Sequence, residues 1–491
     1  MRIALIFLSA IICLLLSGGD VSAQVGGLGV SPGKEQEEAA RQLTLRPDDA
    51  RPEDPRTFSM FGRSLTIGGE YNLRLGHRGD FALQESVDDD SFRAVQDLEL
   101  EFLYQLRENT AIFLEVKPFY ASLLSAEDGD RGVEKGVRRG ETWIYFDKIR
   151  GSRFSLQAGR QNFDEKREWW WDEDLDALRI YYNADRWRLE LGVAEELAQT
   201  STDDDGIDPE QEEVLRFLGR ATWDWAEKQR AELFFLYQHD HSGTKSKGAV
   251  VAADRRDESD ANLAWIGARA IGRRKFHSMG KLSYWLDTAL VSGHEKFIDY
   301  DRLGEKRRVV ASVERRSVFG WAMDAGVTWQ TRLPGRPSLT LGYAVGSGDG
   351  DPEDGRDGSF RQTGLQDNNG RFRGVDSFRY YGELFRPELS NLHILTASVG
   401  FPILKHSSVE LSYHGYRQVR SADTLRDARI KADPLGEKRA IGQELDVVIG
   451  LEEWKHWESE LVGALFVAGD AYGPLSGEMA SNLTFKLTYN F

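Results

Sequence analysis

The segment from residue 361 to residue 386 combines guanidinium groups with aromatic rings. A guanidinium group offers a planar fork of donors that matches a carboxylate, so this composition favours a ligand that carries carboxylates. The segment belongs to the longest connection in the chain. It could fold inward as a constriction or remain a solvated surface loop, and both interpretations are open. The residues concerned are Arg361, Arg371, Arg373, Phe378, Arg379, Tyr380, Tyr381 and Arg386.

Three consecutive tryptophans, Trp169 to Trp171, are flanked on both sides by charged residues. Aromatic faces suit the C–H faces of sugars, while neighbouring charged groups can bind hydroxyls. The same run could instead be an aromatic girdle at a membrane boundary. The run is therefore either a carbohydrate contact or an interfacial anchor.

The remaining polar clusters do not reach the spacing of a known metal or nucleophile motif. The acidic run 349–357 departs from an EF-hand, because Asp354 stands where glycine is required and Phe360 where glutamate should be. The His-Asp-His run at 239–241 has no further ligands at helpful spacing. With nine histidines and no recognisable nucleophile motif, the sequence predicts no catalytic residue, no metal and no cofactor.

The last eleven residues, 481–491, indicate which secondary structure positions these groups. Apolar and polar side chains alternate there, which places them on opposite faces of a strand. Such a strand suits a barrel wall with lipid outside and water inside. The apolar positions are Leu483, Phe485, Leu487, Tyr489 and Phe491.

The whole region 63–491 follows this pattern, with about eighteen strands joined by alternately short and long connections. This predicts an all-β fold, a transmembrane antiparallel β-barrel of about 18 strands. Among the long connections we expect a loop over residues 292–316. An even strand number places both ends of the barrel in the periplasm.

The first 62 residues are predicted to lie outside the barrel. Residues 1–23 have the charged start, apolar core and small-residue cleavage site of a signal peptide, which would also remove Cys13, the only cysteine. Residues 24–62 are expected to be a mostly disordered periplasmic lead segment with a short helix near Lys34–Leu43.

The net charge of −17 argues against nucleic acid as a partner, because phosphate binding requires a basic surface. Strand alternation places many charges of both signs inward, since a charge facing lipid costs about 2–4 kcal/mol at the midplane. We expect a wet, wide lumen in which neighbouring strands pair many of these charges. The predicted inward charges are Glu99, Glu101, Glu115, Lys117, Arg139, Glu141, Arg188, Glu190, Arg216, Arg220, Arg230, Glu232, Glu410, Glu444, Asp446, Glu460 and Lys486.

Several longer strings resemble the alginate export porins of Gram-negative outer membranes. The resemblance lies in residues 360–365, 381–392, 436–438, 441–446 and 469–474, with a weaker match at 159–161. It implies an eighteen-stranded monomeric barrel in the bacterial outer membrane. It also implies passive secretion of an anionic polyuronate through an arginine-lined constriction, gated by a long outer loop and a periplasmic turn.

The resemblance carries over residue by residue only in part. Arg386 matches a pore arginine, Arg139 lies one position from another, and Glu141, Asp172 and Asp203 match acidic pore residues. Four family arginines are replaced, and an acid is replaced by Lys486. The replacing residues are Glu99, Asn162, Ser377 and Glu460.

The sequence therefore predicts an outer-membrane porin for an anionic, alginate-like exopolysaccharide. Its alternatives are a general or nutrient-selective porin, an outer-membrane enzyme and an adhesive barrel. The expected partners are the polysaccharide, outer-membrane lipid and lipopolysaccharide, and a periplasmic scaffold protein, with the barrel as a monomer. Arginines are expected to lower the barrier for carboxylates, while acids keep binding weak. The predicted substrate-pathway residues are Arg139, Glu141, Arg160, Asp172, Asp203, Arg379 and Arg386.

Overall fold

The computed structural model describes residues 56–84, 90–125, 132–304, 306–351 and 354–491. The predicted signal peptide and the helix near Lys34–Leu43 lie outside the described residues, and the proposed domain division stays a prediction. Arg56–Met60, at the end of the expected lead segment, forms a short strand that pairs with Arg63–Ile67.

Eighteen antiparallel strands form one closed barrel, because the last strand pairs with the first, from Glu70 opposite Asn490 to Gly79 opposite Ser481. This confirms the predicted fold class. No helix in the described part of the chain is long and apolar enough to span a membrane. The strands are β1 Arg63–Gly79, β2 Ser91–Arg107, β3 Thr110–Ser125, β4 Val133–Phe146, β5 Phe154–Asp164, β6 Asp172–Asn183, β7 Trp187–Ala194, β8 Val214–Ala226, β9 Gln229–Asp240, β10 Ser259–Phe276, β11 Gly280–Arg302, β12 Arg307–Gln330, β13 Ser338–Gly346, β14 Leu392–Pro402, β15 Ser407–Gln418, β16 Ala440–Trp454, β17 Trp457–Ala468 and β18 Met479–Asn490.

Alternation along each strand separates the lipid face from the lumen. In β18, Leu483 is 53% exposed on the outside, whereas Asn482 is 5% exposed on the inside. The closed ladder satisfies the strand backbone groups without water, which is the requirement for crossing hydrocarbon. The wall is therefore built as the sequence pattern predicts.

The connections alternate as expected, with one correction. The expected long loop 292–316 is wrong: β11 and β12 run through it as strands of 23 and 24 residues. They are longer than the membrane requires, so their outer ends continue the sheet as a ribbon beyond the wall. Short turns close one end of the barrel, which is the periplasmic end in this architecture.

The lumen differs from the expectation of a wide, wet channel. Its predicted ion pairs are present: Arg220 Nη2 lies 2.7 Å from Glu232 Oε1, and Lys117 Nζ lies 3.1 Å from Glu115. However, Phe234 and Leu236 also point inward and are fully buried. Part of the lumen is thus a packed core, because chain from several outer connections fills it.

Candidate functional site

The connection between β13 and β14, residues 347–391, folds into the barrel. Its side chains Phe378, Leu384 and Phe385 have no exposed surface. Glu444 of the wall accepts hydrogen bonds from the backbone N–H of Leu384 at 2.6 Å and of Phe385 at 3.0 Å. The inward interpretation of this segment is confirmed, and the surface-loop interpretation is wrong.

A second inward segment, residues 165–171, carries the three tryptophans. Each of the three is at most 2% exposed. Trp170 stacks on Phe234 of the wall at 4.8 Å between ring centroids, and Trp169 stacks on Phe360 at 6.3 Å. Both interpretations drawn from the sequence are wrong, because rings buried in a core reach neither a sugar nor the membrane boundary. We call residues 165–171 and 360–389 together the plug.

Buried ion pairs hold the plug to the wall. Arg167 of the plug lies 3.1 Å from Asp287 and 2.7 Å from Asp324. Tyr381 donates to Asp324 Oδ2 at 3.0 Å and accepts from Trp169 Nε1 at 2.6 Å. Since these groups come from both plug segments and two wall strands, the plug is fixed as one body.

Beside the plug lies a cavity of ≈ 560 Å³. Charged residues dominate its lining, and basic groups outnumber acidic groups by nine to five. The cavity is therefore positive although the whole chain is acidic. The basic residues are Arg74, Arg78, Arg93, Lys166, Arg371, Arg379, Arg386, Arg429 and Lys486, and the acidic residues are Glu165, Glu168, Asp367, Glu383 and Glu460.

Three guanidinium groups of this lining, those of Arg78, Arg386 and Arg429, lie close enough to repel one another. Arg386 pairs with Glu383 at 3.0 Å. Arg429 donates only to the backbone oxygen of Glu383, at 3.1 Å, among its described contacts. Burial, followed by repulsion from Arg386 and Arg78, lowers the pKa of Arg429. An incoming anion would relieve this repulsion, so the geometry suits a carboxylate.

Comparison with known proteins assigns the family. A sequence model described as alginate export matches residues 67–486. The chain belongs to the alginate export family. This family and the porin-like barrel establish a bacterial outer-membrane location and a transport class of protein.

The similar curated proteins include two named alginate production protein AlgE. The protein of Pseudomonas aeruginosa is 28% identical over 336 residues, which cover 65% of this chain and 67% of that protein. The protein of Pseudomonas syringae pv. tomato is 25% identical over 309 residues, covering 60% of each chain. The matched part thus spans about two thirds or less of these relatives.

Similar solved structures support the fold alone. Pseudomonas aeruginosa OccK5 (OpdH) has a TM-score of 0.51 at 9% identity, covering 87% of this chain and 98% of that chain. Pseudomonas aeruginosa OpdK with vanillate has a TM-score of 0.51 at 11% identity with the same coverage.

Two of the predicted pathway residues of this alginate export family protein line the cavity, namely Arg379 and Arg386. Arg379 pairs with Asp367. Arg386 adopts a left-handed backbone conformation, with φ 44°, that is uncommon for a bulky side chain. Its bonds to Glu383 hold it there, so its direction is fixed. Asp172 lies close by, with a carboxylate oxygen within 4.8 Å of one of Asp367.

Other predicted pathway residues form a separate, paired cluster. Arg139 makes a two-pronged contact with Asp176, at 2.8 Å for each pair of atoms. Arg160 is buried and lies 2.9 Å from Glu196. Glu141 is buried and accepts from Trp143 Nε1 at 3.0 Å. The arginines here are matched by carboxylates, so this cluster stiffens the wall.

Asp203 lies elsewhere again. It is exposed in the connection between β7 and β8, where its backbone N–H donates to Ser201 Oγ at 3.2 Å. The structure therefore does not bring Asp203 into the cavity.

The basic cavity residues that sequence reasoning missed include Arg74, Arg78, Arg93 and Arg429. Arg74 and Arg78 share one face of β1, so its alternation could have revealed them. Arg429 belongs to an irregular loop and carries no periodic signal.

Two departures from the family pattern compensate each other. Glu460, which the resemblance places where the family has an arginine, lies directly opposite Lys486, which it places where the family has an acid, across β17 and β18. Both line the cavity. Because the replacements exchange signs within one cross-strand pair, the charge balance at this point of the wall is preserved.

A pH effect follows from Asp376, which lies on the plug. Burial raises the pKa of Asp376 to about 6, against the lowering effects of Lys486 and Arg371. Asp376 is charged at pH 7.5 and loses its negative charge as the pH falls below 6, so the surrounding field becomes more positive. We expect anion preference to rise about twofold between pH 7.5 and pH 5, the effect of one charge at roughly 10 Å in water.

Reversal potentials in planar bilayers measure this preference. In Asp376→Asn the side chain is neutral at every pH. This variant should therefore show the higher anion preference already at pH 7.5, and its preference should rise less between pH 7.5 and pH 5 than that of wild type. An identical pH profile in wild type and Asp376→Asn would contradict the assignment.

Proposed function

We propose that this protein exports an anionic polysaccharide of the polyuronate type across the outer membrane by passive diffusion. One observation carries the proposal: the cavity inside the barrel collects nine basic and five acidic groups in an otherwise acidic chain. The names of its relatives, which are alginate production proteins, favour alginate as the polymer.

The mechanism is electrostatic. Arg386, Arg379, Arg78 and Arg429 lower the free energy of a carboxylate in the cavity, since low-dielectric walls strengthen their field. Acids such as Glu383 prevent tight binding, because conduction requires that each site release its ion. Successive uronate units then move from one guanidinium group to the next.

The paired cluster has a different part in this proposal. Arg139 and Arg160 are neutralised by Asp176 and Glu196, so they act on the polymer only where an ion pair opens. The carboxylates of Asp172 and Glu141 lie on the wall and reduce the positive potential in the lumen. A pathway role for Asp203, monomeric function and a periplasmic scaffold protein stay predictions.

The plug bears directly on passage of a polymer. It fills the lumen beside the cavity, so a chain of sugars passes only when the plug shifts. Its buried contacts with the wall include the ion pairs of Arg167 with β11 and β12 and the hydrogen bonds of Glu444 on β16, so these contacts must break before the plug moves.

Efflux from liposomes tests the proposal. Vesicles containing the purified protein are loaded with fluorescent oligomers of mannuronate or with neutral dextran oligomers of equal length. We expect the uronates to leave faster than the dextrans. Equal rates for both polymers, or no efflux of either above empty vesicles, would contradict anionic polysaccharide export.

A porin for small carboxylates is the second candidate, and the cavity size favours it. A volume of ≈ 560 Å³ suits one small ligand more readily than a chain. The efflux assay separates the candidates by length: a small-carboxylate porin passes the monomer and retains the longer uronates, whereas the exporter passes both.

A further inference from the structure

The lipid face of the barrel contains a groove that is unrelated to the lumen. At one place on β8, β9 and β10 the outward side chains are alanines, where an outer-membrane wall normally presents large apolar groups. The groove occupies ≈ 380 Å³. Its floor consists of Ala221, Ala231, Ala268 and Ala270.

Large apolar side chains form the sides of the groove. Trp187 and Trp223 stack at 5.3 Å between ring centroids, with planes 5° apart. Leu233 is 62% exposed and Leu286 is 41% exposed. The recess between them spans five neighbouring strands, about 19 Å at the usual strand spacing. A recess of this length and apolar character fits a fatty acyl chain.

Basic residues surround the periplasmic end of the groove. Arg274 has the same outward direction as Ala268 and Ala270, because it lies an even number of residues along β10. The backbone oxygen of Lys228 accepts from the backbone N–H of Arg273 at 3.0 Å, so the turn between β8 and β9 lies beside β10. Arg186 immediately precedes Trp187, and the backbone oxygen of Arg186 accepts from Asp224.

The positive charge at this rim exceeds the negative charge. Arg186, Lys228 and Arg274 supply three positive charges at this end, against the carboxylates of Asp185 and Glu227. Of the nearby acids, Asp224 pairs with Arg230 at 2.8 Å. Glu227 is 89% exposed and lies 3.5 Å from Lys228, a loose contact that water screens. The rim therefore remains basic at the depth where lipid headgroups lie.

We propose that this groove is a binding site for an anionic phospholipid of the periplasmic leaflet. One acyl chain lies on the alanine floor between Trp187 and Leu286, and the phosphate and its acidic headgroup contact Lys228 and Arg274. The apolar recess supplies affinity for the chain, while the basic rim supplies selectivity for negative headgroups.

Native mass spectrometry of the detergent-purified full chain tests this site. The protein is titrated with phosphatidylglycerol or phosphatidylethanolamine that carry the same acyl chains. We expect phosphatidylglycerol to be retained at least about fivefold better, and Lys228→Ala and Arg274→Ala each to lower its retention about fivefold. Retention of phosphatidylethanolamine should not change in these variants.

Two further variants separate the groove from general surface charge. Ala270→Phe fills the floor and should reduce retention of both lipids, while Lys405→Ala in the exposed turn 403–406 should change neither. Heat-dependent migration in gels confirms folding of each variant. Equal retention of the two lipids by wild type, an unchanged preference in the two rim variants, or unaltered binding to Ala270→Phe would overturn the proposal.

Discussion

Replacing Arg386 and Arg429 together by glutamate is expected to reverse the ion preference of the channel. Four units of charge change inside one cavity, and each contributes roughly 0.5–1 kcal/mol to a passing ion at 5–10 Å in water. The anion-to-cation permeability ratio should fall about tenfold or more. Reversal potentials under a salt gradient in planar bilayers measure this ratio.

A matched control comes from the same outer connection. Arg420, like Arg429, belongs to residues 419–439, but it is exposed and does not line the cavity. Arg420→Glu should leave the ratio close to that of wild type. If Arg420→Glu changes the ratio as much as the double substitution, selectivity arises from surface charge and the cavity assignment is wrong.

Removing the plug segment 360–389 is expected to open the barrel. Barrels of 16–18 strands enclose an aqueous channel when nothing fills them. The backbone N–H groups of Phe360 and Asn391 both donate to the backbone oxygen of Ser347, at 2.9 and 3.0 Å, so a short glycine-serine linker can join residues 359 and 390. We expect single-channel conductance to rise roughly threefold or more. Anion preference should weaken, because the cavity arginines Arg371, Arg379 and Arg386 are lost.

A milder variant covers the case in which the deletion does not fold. Arg167→Ala leaves Asp324 and Asp287 buried with fewer counter-charges, a change that costs about 3–5 kcal/mol for a broken buried pair. It should increase the frequency of openings. Removing the exposed stretch 245–248 of another outer connection serves as control. Unchanged conductance in both plug variants would show that the plug does not obstruct the path.

The wall of the barrel could be predicted from the sequence because its signal repeats every two residues. Leu483 and Asn482 show this in β18, where the burial of each residue follows from its position alone. The contents of the lumen could not be predicted in this way. In β9 the run from Leu233 to Leu236 is apolar on both faces, and its inward half is explained only by the plug that covers it.

The candidate site was predictable only for residues whose type alone carries chemistry. Arg379 and Arg386 were identified from their guanidinium groups among aromatic residues. Arg78 lies beside them in the cavity although it is about 300 positions away in the chain. This proximity arises only when the barrel closes and the plug folds into it. For Arg139 and Arg160, composition could not reveal that Asp176 and Glu196 already neutralise them.

The most direct measurement is block of single-channel current by oligomannuronate added to the periplasmic side. If the cavity conducts polyuronates, micromolar oligomer should interrupt the small-anion current of the wild-type channel, and block should strengthen with chain length. Arg386→Glu combined with Arg429→Glu should abolish these interruptions. Equal interruption by neutral dextran, or undiminished block in the double variant, would contradict a cationic path for an acidic polymer.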